Sequence, residues 1–475
     1  MRSAWPAIPS FDVRPRANVF LGWNHLGGYT RFWSAPEDSV GIVGPPRYGK
    51  TSGLIVPSVL GWNGPVVVTS TRGDILQFTG NRRRAIATPH GGNVRVYDPF
   101  GSEYPEHSLR WSPLAGCADP AVCYRRVAAM TAVAGKGIEG GGDHWRAGGA
   151  GILRAYFHAA ALSGRPLADV RRWLARQEVR DPVAILRLSD STATMWADDL
   201  EAVQLLGDRE RGSFFSVARN CLEATAEPTV LRSCAATDLD IDHFLTSRSA
   251  LFLIGPSHYQ QAIAPLVVAL VDSIAQRAAE LAARRPGGRL DPPLLLALDE
   301  VANIAPLQSL PSLVSEGGGR GIVTMWAVQS LAQLRARYGV EQQAAILAAT
   351  TAKLIFGGMS NSQDLSNVSA WAGEQRETNA SYQNPSRTQR VQAETGTAGG
   401  GLGRLPDPGN GDWGRSAHTS TSVGSLYRPA LPVQMIQMLP PGHAWLFYRS
   451  DEPRQVETRP AGLIPEFAAL KGYAP

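Results

Sequence analysis

Continuous runs of apolar residues recur along the chain, and stretches with helical spacing separate many of them. Strands of a parallel sheet are buried on both faces, so they read as unbroken apolar runs rather than alternating ones. Strand-type segments that alternate with helical ones predict an α/β fold with a mostly parallel central sheet. The predicted strands cover residues 40–43, 65–70, 94–97, 250–254, 294–298, 322–327, 352–356 and 444–448, and we expect the last one to close the sheet.

The pattern changes in the middle of the chain. Between residues 120 and 245 there is little strand character, whereas helical spacing is common, as in 147–162 and 203–225. We interpret this part as an all-helical domain inserted into the sheet. The sheet pattern then returns with the strand at 250–254 and a long helix over 259–284.

Two further segments lack this periodicity. Residues 1–38 combine many aromatic residues with glycine and proline, which predicts an extended arm on the edge of the domain that ends in a short hairpin. Residues 374–425 are rich in Gly, Ser, Thr, Asn and Gln and show almost no apolar periodicity. That composition is typical of a flexible surface insert.

Composition narrows the class of protein. A chain of 475 residues is long for a single core, and 44% hydrophobic with 18% charged residues is typical of a folded, water-soluble protein. The net charge of +5 permits a nucleic-acid partner without requiring one. The sequence shows no apolar run of about 18 residues and no signal-peptide pattern, so we expect no membrane-spanning helix and a cytoplasmic location.

The strongest motif follows the first predicted strand. Residues 44–51 fit the phosphate-binding pattern G-x-x-x-x-G-K-[ST], and a segment that can open a helix comes directly after them. In this setting the glycines let the backbone fold around an anion, and amide groups at the helix start point into the concavity. We expect Lys50 to reach the β- and γ-phosphates of ATP, and the Thr51 hydroxyl to bind Mg²⁺. The predicted nucleotide-binding residues of this loop are Gly44, Pro45, Pro46, Arg47, Tyr48, Gly49, Lys50, Thr51 and Ser52.

A strand that ends in two carboxylates supplies the second half of such a site. The apolar residues 295–298 lead directly into Asp299 and Glu300. Asp299 can hold Mg²⁺ opposite Thr51, through water, and Glu300 can polarise the attacking water as a general base. Carboxylates at a strand end also serve as simple helix caps, and that interpretation stays open here.

Two residues beside the next strand extend the hypothesis. Gln329 follows the strand that starts at Ile322, and adjacent parallel strands end on the same edge of a sheet, beside the phosphates. Its amide can bond the γ-phosphate or the lytic water, or it can cap the following helix. Arg320 lies in a glycine-rich loop before this strand, and it either acts catalytically on the nucleotide of a neighbouring subunit or is a solvated surface residue.

Together these motifs resemble those of the type IV secretion coupling proteins, the TraG/TraD family of conjugation ATPases. Residues 299–304, Asp-Glu-Val-Ala-Asn-Ile, are similar to the family's Asp-Glu-Phe-Ala-Asn-Ile, with valine in place of the aromatic residue. Residues 319–322 and 329–334 resemble the family's Arg-Gly-Ile strand and its Gln-Ser-x-x-Gln-Leu helix start. Residues 68–74 resemble its second-strand motif, which places Asp74 where the family has a glutamate beside the nucleotide.

The resemblance implies a RecA-like P-loop NTPase fold with an inserted all-α domain, and a hexamer around a channel with ATP and Mg²⁺ bound between subunits. It also implies partners: single- or double-stranded DNA, relaxase complexes or other protein substrates, and the components of a type IV secretion channel. Members of the family usually begin with membrane-spanning helices, which this sequence does not show. The resemblance therefore implies either a membrane-anchoring partner, with the chain peripheral at the inner face of the cell membrane, or a soluble branch of the family.

Two alternatives share the nucleotide core: a nucleotide-gated adaptor that recruits substrates without translocating them, and a DNA translocase of the FtsK/HerA type. The predicted organisation is the same for all three. It consists of an N-terminal arm (1–38), a first part of the RecA-like domain (39–119), the helical insertion (120–245), a second part of the RecA-like domain (246–373), the flexible insert (374–425), and a last strand with the C-terminal tail (426–475).

Overall fold

The computed structural model describes residues 17–24, 30–104, 108–134, 142–189, 194–382 and 421–464, together with Ala468 and Gly472. The strands in this part of the chain are β1 (Phe20–Asn24), β2 (Arg31–Trp33), β3 (Val40–Val43), β4 (Val66–Ser70), β5 (Val94–Tyr97), β6 (Ala250–Ile254), β7 (Leu294–Leu298), β8 (Ile322–Val328), β9 (Ala352–Phe356), β10 (Glu374–Tyr382), β11 (Thr421–Pro429), β12 (His443–Tyr448) and β13 (Arg454–Glu457). All eight predicted strands are present, with bounds that differ by at most one residue.

Helices fill most of the chain between the strands. They are α1 (Val56–Gly61), α2 (Asp74–Ala87), α3 (Pro120–Ala134), α4 (Gly142–Leu162), α5 (Leu167–Arg176), α6 (Arg180–Arg187), α7 (Met195–Ala202), α8 (Asp208–Asn220), α9 (Pro228–Ser233), α10 (Ile241–Thr246), α11 (Gln260–Ala283), α12 (Leu310–Glu316), α13 (Leu331–Tyr338), α14 (Val340–Ala349), α15 (Ser362–Trp371) and α16 (Val433–Gln437). A π-helical turn, Thr51–Ile55, precedes α1 and runs straight into it.

Eleven of the strands form one sheet in the order β2-β1-β13-β12-β9-β3-β8-β7-β4-β6-β5. The strands from β9 to β5 in this order run parallel, whereas β12, β13, β1 and β2 add to the β9 side as antiparallel neighbours. This confirms the predicted mostly parallel sheet. Because β3 and β7 flank β8 on either side, the strands that carry the three predicted catalytic segments lie side by side.

The prediction that residues 444–448 close the sheet is wrong. Strand β12 lies inside the sheet between β9 and β13, and β13 in turn pairs with β1. Strand β13 has the sequence Arg-Gln-Val-Glu, which has no apolar run and therefore gave no strand signal. The predicted N-terminal hairpin is the antiparallel pair β1–β2, and it forms the edge of the main sheet.

The helical part of the chain lies between β5 and β6 and shares one hydrophobic core with a face of the sheet. Side chains alternate across the sheet: Leu294, Leu296 and Leu298 face the core that contains α3, α4 and α11, while Leu295 and Ala297 face the other. The helices from α3 to α10 are thus anchored on the sheet, and no strand occurs among the described residues between β5 and β6.

The structure corrects the prediction for residues 374–425 at both ends. Strands β10 and β11 pair over their whole length as an antiparallel ribbon separate from the main sheet, with Glu374 opposite Pro429 and Tyr382 opposite Thr421. A two-stranded ribbon is held by main-chain bonds, so it forms from polar sequence without apolar periodicity. The centre of the predicted flexible insert, 383–420, lies outside the described residues.

One helix in the described part of the chain, α11, is long and apolar enough to cross a membrane. Its most apolar stretch is 67% buried within the protein, and α3 packs along it. Helix α11 is therefore a core helix of the sheet domain.

Candidate functional site

The carboxyl ends of β3, β8, β7 and β4 meet at one edge of the sheet, which is where α/β proteins bind their ligands. A cavity of about 350 Å³ opens at this edge. It is lined by Pro45, Pro46, Arg47, Gly49, Lys50, Thr51, Ser52, Val56, Ser70, Thr71, Asp74, Ile75, Phe78, Asp299 and Glu300. The two predicted halves of the nucleotide site therefore share one cavity.

The loop between β3 and the helix turns back on itself around this cavity. It starts where the Gly44 amide donates to the Val328 carbonyl (3.2 Å), which ties the loop to the neighbouring strand. Arg47 and Gly49 have positive φ angles of 67° and 101°, and these left-handed residues reverse the chain direction. The helix start thus closes the loop, and its first amide groups surround a concavity suited to an anion.

Lys50 is nearly buried, with 6% of its surface exposed. Its ammonium group folds back onto the loop and donates to the Gly44 carbonyl and to the Pro45 carbonyl (3.3 Å). Burial lowers the pKa of Lys50, and the nearby carboxylates of Glu300 and Asp299 partly oppose this shift. A phosphate in the loop would therefore meet a cation that is already desolvated and positioned.

Thr51 and Asp299, the two predicted metal ligands, contact each other across 248 positions of sequence. The Thr51 hydroxyl donates to Asp299 Oδ2 (2.7 Å), and the Thr69 hydroxyl on β4 holds the Asp299 carbonyl (2.8 Å). Burial raises the pKa of Asp299 to about 6; the bond from Thr51 acts in the opposite direction, and the charge of Glu300 adds to the rise. A nearby cation would relieve this unfavourable buried charge.

Glu300 and Gln329 form the next contact along the edge. The Gln329 amide donates to Glu300 Oε1 (3.0 Å), while Glu300 Oε2 is buried and has no hydrogen-bond partner among the described residues. Glu300 also has a positive φ of 52°, a left-handed conformation that costs about 1 kcal/mol in a non-glycine residue. A strained carboxylate with one vacant acceptor at a polar cavity can accept a proton from a bound water.

The remaining predicted residues divide into two groups. Ser52 and Asp74 line the same cavity, and Asp74 starts α2, where its Oδ1 accepts from the Ile75 amide (2.9 Å). Arg320 does not approach the cavity: it precedes β8 at the opposite edge of the sheet, about 20 Å away along a seven-residue strand. There it is about half exposed and pairs with Glu316 (3.0 Å). The cap interpretation of Gln329 does not match the geometry, because Ser330 caps α13.

Sequence reasoning missed the segment that supports the phosphate loop from behind. The Gly442 amide donates to the Tyr48 carbonyl (3.0 Å), and the Thr458 amide donates to the Gly442 carbonyl (2.7 Å). A Cβ at Gly53 would lie 2.7 Å from the Thr458 carbonyl, so the helix start packs directly on this segment. No motif marks Gly442 or Thr458; the glycine at 53 was the available signal of a close approach.

The donor set fits a magnesium ion bound together with phosphates. No group of three or more His, Cys, Asp or Glu side chains that could hold a metal occurs among the described residues. Mg²⁺ at phosphate sites takes only one or two protein ligands and completes its octahedron with water and phosphate oxygens. The Thr51 hydroxyl and the Asp299 carboxylate supply such a pair.

Comparison with known proteins agrees with this geometry. Residues 293–441 match the family model described as the TraM recognition site of TraD and TraG. The conjugal transfer protein TraG of Escherichia coli is 25% identical over 343 residues, which are 66% of this chain and 52% of that protein. VirD4 of Rhizobium radiobacter is 24% identical over 308 residues, 62% of this chain and 42% of that protein. The chain is therefore similar in sequence to type IV coupling proteins of the TraG/TraD family.

Solved structures extend the similarity to the fold of this coupling-protein homologue. The plasmid coupling protein TrwB, solved with the non-hydrolysable ATP analogue ADPNP, superposes with a TM-score of 0.64 at 16% identity, over 96% of each chain. TrwB solved with ADP and Mg²⁺ superposes with a TM-score of 0.62. The fold is therefore the RecA-like P-loop fold. The chain spans about half the length of the curated relatives it matches.

Proposed function

We propose that this coupling-protein homologue is a P-loop ATPase that recruits DNA or nucleoprotein substrates and transfers them to a type IV secretion channel. The observation that carries the ATPase proposal is the meeting of the two halves of the site. Thr51 and Asp299 are 2.7 Å apart, beside a buried Glu300 oxygen that has no partner. This arrangement supports binding of Mg²⁺–ATP and in-line attack by water.

Each residue has a distinct role in this proposal. Lys50 binds the β- and γ-phosphate oxygens in place of its present contacts with loop carbonyls, and so neutralises charge that develops during transfer. Thr51 and Asp299 would hold Mg²⁺, and the ion would supply positive charge that stabilises the transferring phosphoryl group.

The other two residues act on the water. Glu300 accepts the proton of the attacking water at Oε2, the oxygen without a partner. Gln329 fixes the other Glu300 oxygen through its amide NH₂ group, and therefore leaves Oε2 free to accept the proton of the attacking water.

The known relatives support the choice of nucleotide and of process. The structures of TrwB, a plasmid coupling protein, contain ADPNP in one case and ADP with Mg²⁺ in another. The matched TraG proteins of Escherichia coli are named for conjugal transfer. We extend ATP, Mg²⁺ and conjugative transfer to this chain on that basis.

The assembly is proposed as a ring, a hexamer by the family resemblance, in which Arg320 of one subunit completes the nucleotide site of the next. The exposure of Arg320 and its distance from its own cavity support an action between subunits. The further proposed partners are relaxase complexes, channel components and a membrane-anchoring partner, with the protein at the inner face of the cell membrane.

The direct test measures ATP hydrolysis by the assembled protein with and without single-stranded and double-stranded DNA, together with the mass of the assembly. We expect Mg²⁺-dependent hydrolysis that DNA increases and that dilution to monomers removes. An assembled protein that binds Mg²⁺–ATP without hydrolysing it would contradict the ATPase proposal.

A second candidate is a nucleotide-gated adaptor that binds a substrate protein and releases it without translocation. The modest net charge of +5 favours it, because a channel that threads DNA needs many cations on its wall. Salt separates the two. DNA binding that weakens steeply with salt supports the motor, or a DNA translocase of the FtsK/HerA type, and undetectable DNA binding supports the adaptor.

A further inference from the structure

A second and larger cavity, of about 560 Å³, lies beside the nucleotide site. Its wall is formed by the ends of α3 and α8, the start of α11, the loop after β7 and helix α13. Its lining includes Ala302, Asn303 and Gln333, which belong to the motifs 299–304 and 329–334 that resemble those of the coupling proteins. The proposed hydrolysis mechanism gives these three residues no role. Five side-chain amides line it: Asn220, Gln260, Gln261, Asn303 and Gln333.

The charges on this wall do not suit a nucleic-acid backbone. Among the described residues the lining contains one arginine, Arg337, and one glutamate, Glu223, so their charges cancel. Binding of a phosphodiester chain requires several cations along its path. The amides instead offer donors and acceptors in pairs, which match the N–H and C=O groups of an extended polypeptide.

Arg337 provides an independent sign that a ligand group is missing. Its Nε is buried and has no hydrogen-bond partner in the part of the chain that the structure describes, although Arg337 lines a polar cavity. A buried donor without an acceptor is costly, and a peptide carbonyl would satisfy it without adding a charge.

Two hydrogen bonds connect this cavity to the proposed general base. Gln333 on the cavity wall accepts at Oε1 from the main-chain amide of Gln329 (2.9 Å). Gln329 in turn donates through Nε2 to Glu300 Oε1 (3.0 Å). A ligand that pulls on the Gln333 amide therefore moves the residue that orients the base.

We propose that this amide-lined cavity binds an extended, uncharged stretch of polypeptide, and that Gln333 is the positioning residue that reports its presence to Glu300. The binding part stands on the cavity alone. The reporting part rests on the proposed ATPase function, because it acts through the base.

The binding test uses a short, fluorescently labelled peptide of Gly, Ser, Thr and Asn, and an oligothymidine of equal contour length, on the full chain. We expect the peptide to bind without nucleotide and with little dependence on salt. Gln261→Leu, on the cavity wall and outside the hydrogen-bond chain from Gln333 through Gln329 to Glu300, should weaken binding by about tenfold and leave basal hydrolysis unchanged. Peptide binding that Gln261→Leu does not change, or oligothymidine binding that it does weaken, would overturn the assignment.

The reporting test compares Gln333→Ala with Gln333→Glu. The alanine variant removes the acceptor of the Gln329 amide, so kcat should fall by about tenfold with KM for ATP unchanged. Peptide should raise the hydrolysis rate of the wild type but not that of this variant. The glutamate variant keeps an acceptor oxygen and should retain basal kcat. A shift in KM alone, or an equal loss in both variants, would refute the relay. If the wild type binds peptide but hydrolyses nothing, the ATPase proposal fails and the cavity assignment stands.

Discussion

The carboxyl ends and the amino ends of the parallel strands, called here the carboxyl edge and the amino edge, differ in how their functional side chains are held. At the carboxyl edge Lys50, Thr51, Asp299 and Glu300 are buried or half-buried and bonded to one another or to the loop. At the amino edge Arg320 is about half exposed and is held by a single surface ion pair with Glu316. Surface ion pairs contribute little to stability, about 0 to 1 kcal/mol.

This difference indicates which part of the reaction one subunit can prepare alone. The carboxyl edge is organised before nucleotide binds, including desolvated charges and a strained Glu300. At the amino edge Arg320 lies far from the cavity of its own subunit and pairs with Glu316. The four predictions below test this division, from the largest expected effect to the smallest.

Replacement of Lys50 should have the largest effect. In Lys50→Met the side chain keeps its length but loses the charge that meets the phosphates, so hydrolysis should fall to background and nucleotide binding should weaken. Steady-state hydrolysis and equilibrium binding measure the two effects. The matched control is Lys353→Met, a half-buried lysine on β9 away from the cavity, which should stay active. A wild-type rate of hydrolysis in Lys50→Met would contradict the assignment of residues 44–51 as a phosphate-binding loop.

Glu300→Gln should separate binding from turnover. The variant keeps the shape of the Glu300 side chain and its contact with Gln329, but it cannot accept a proton. We therefore expect kcat to fall by about 10³-fold while Mg²⁺–ATP still binds. Single-turnover kinetics check the chemical step. Glu341→Gln, an exposed glutamate at the start of α14, serves as the control. A wild-type rate in Glu300→Gln would assign the base elsewhere.

Arg320→Ala tests whether the two edges meet between subunits. The variant alone should lose about 10³-fold in rate, because transition-state charge is no longer neutralised. Co-expression with wild type should reduce activity more than the fraction of variant subunits predicts. Arg284→Ala, another exposed arginine beyond α11, should mix without such an effect. A loss of activity that is strictly proportional to the variant fraction would show that Arg320 does not act on the nucleotide site of a neighbouring subunit.

Asp299→Asn should stabilise the free protein at neutral pH. Because burial raises the folded-state pKa of Asp299 from 3.8 to about 6, the stability that this group contributes is present below pH about 4 and is lost as pH rises through about 6. The asparagine variant avoids that loss, on the order of 3 kcal/mol above pH about 6.

Urea unfolding at several pH values, without nucleotide or Mg²⁺, measures this difference, with the exposed Asp199→Asn as control. A stability difference between Asp299→Asn and wild type that does not change with pH would show that the buried charge of Asp299 does not destabilise the folded protein.

The sequence predicts the parallel core well because its signal is local. Most of the eight predicted strands are short apolar runs, and burial on both faces favours that pattern wherever helices cover the sheet. The contact between Thr51 and Asp299 could also be anticipated, since strand ends at a parallel edge converge.

The parts that the sequence did not predict depend on main-chain pairing or on contacts distant in sequence. The ribbon β10–β11 and strand β13 form from polar residues whose side chains carry no periodic signal. The positive φ of Glu300 and the support of Gly53 by Thr458 arise only in the folded chain. Gln333 was visible as part of a motif, but its bond to the Gln329 amide was not.

The backing of the phosphate loop by Thr458 has a mechanical consequence. Thr458 directly follows β13, and β13 pairs with β1 through Trp23 and Glu457. A pull along β1 is therefore delivered to Thr458, and from there through Gly442 to the Tyr48 carbonyl at the mouth of the loop. Force on the antiparallel strands and the position of the phosphate loop are thereby coupled through β1, β13 and the two main-chain hydrogen bonds of Gly442.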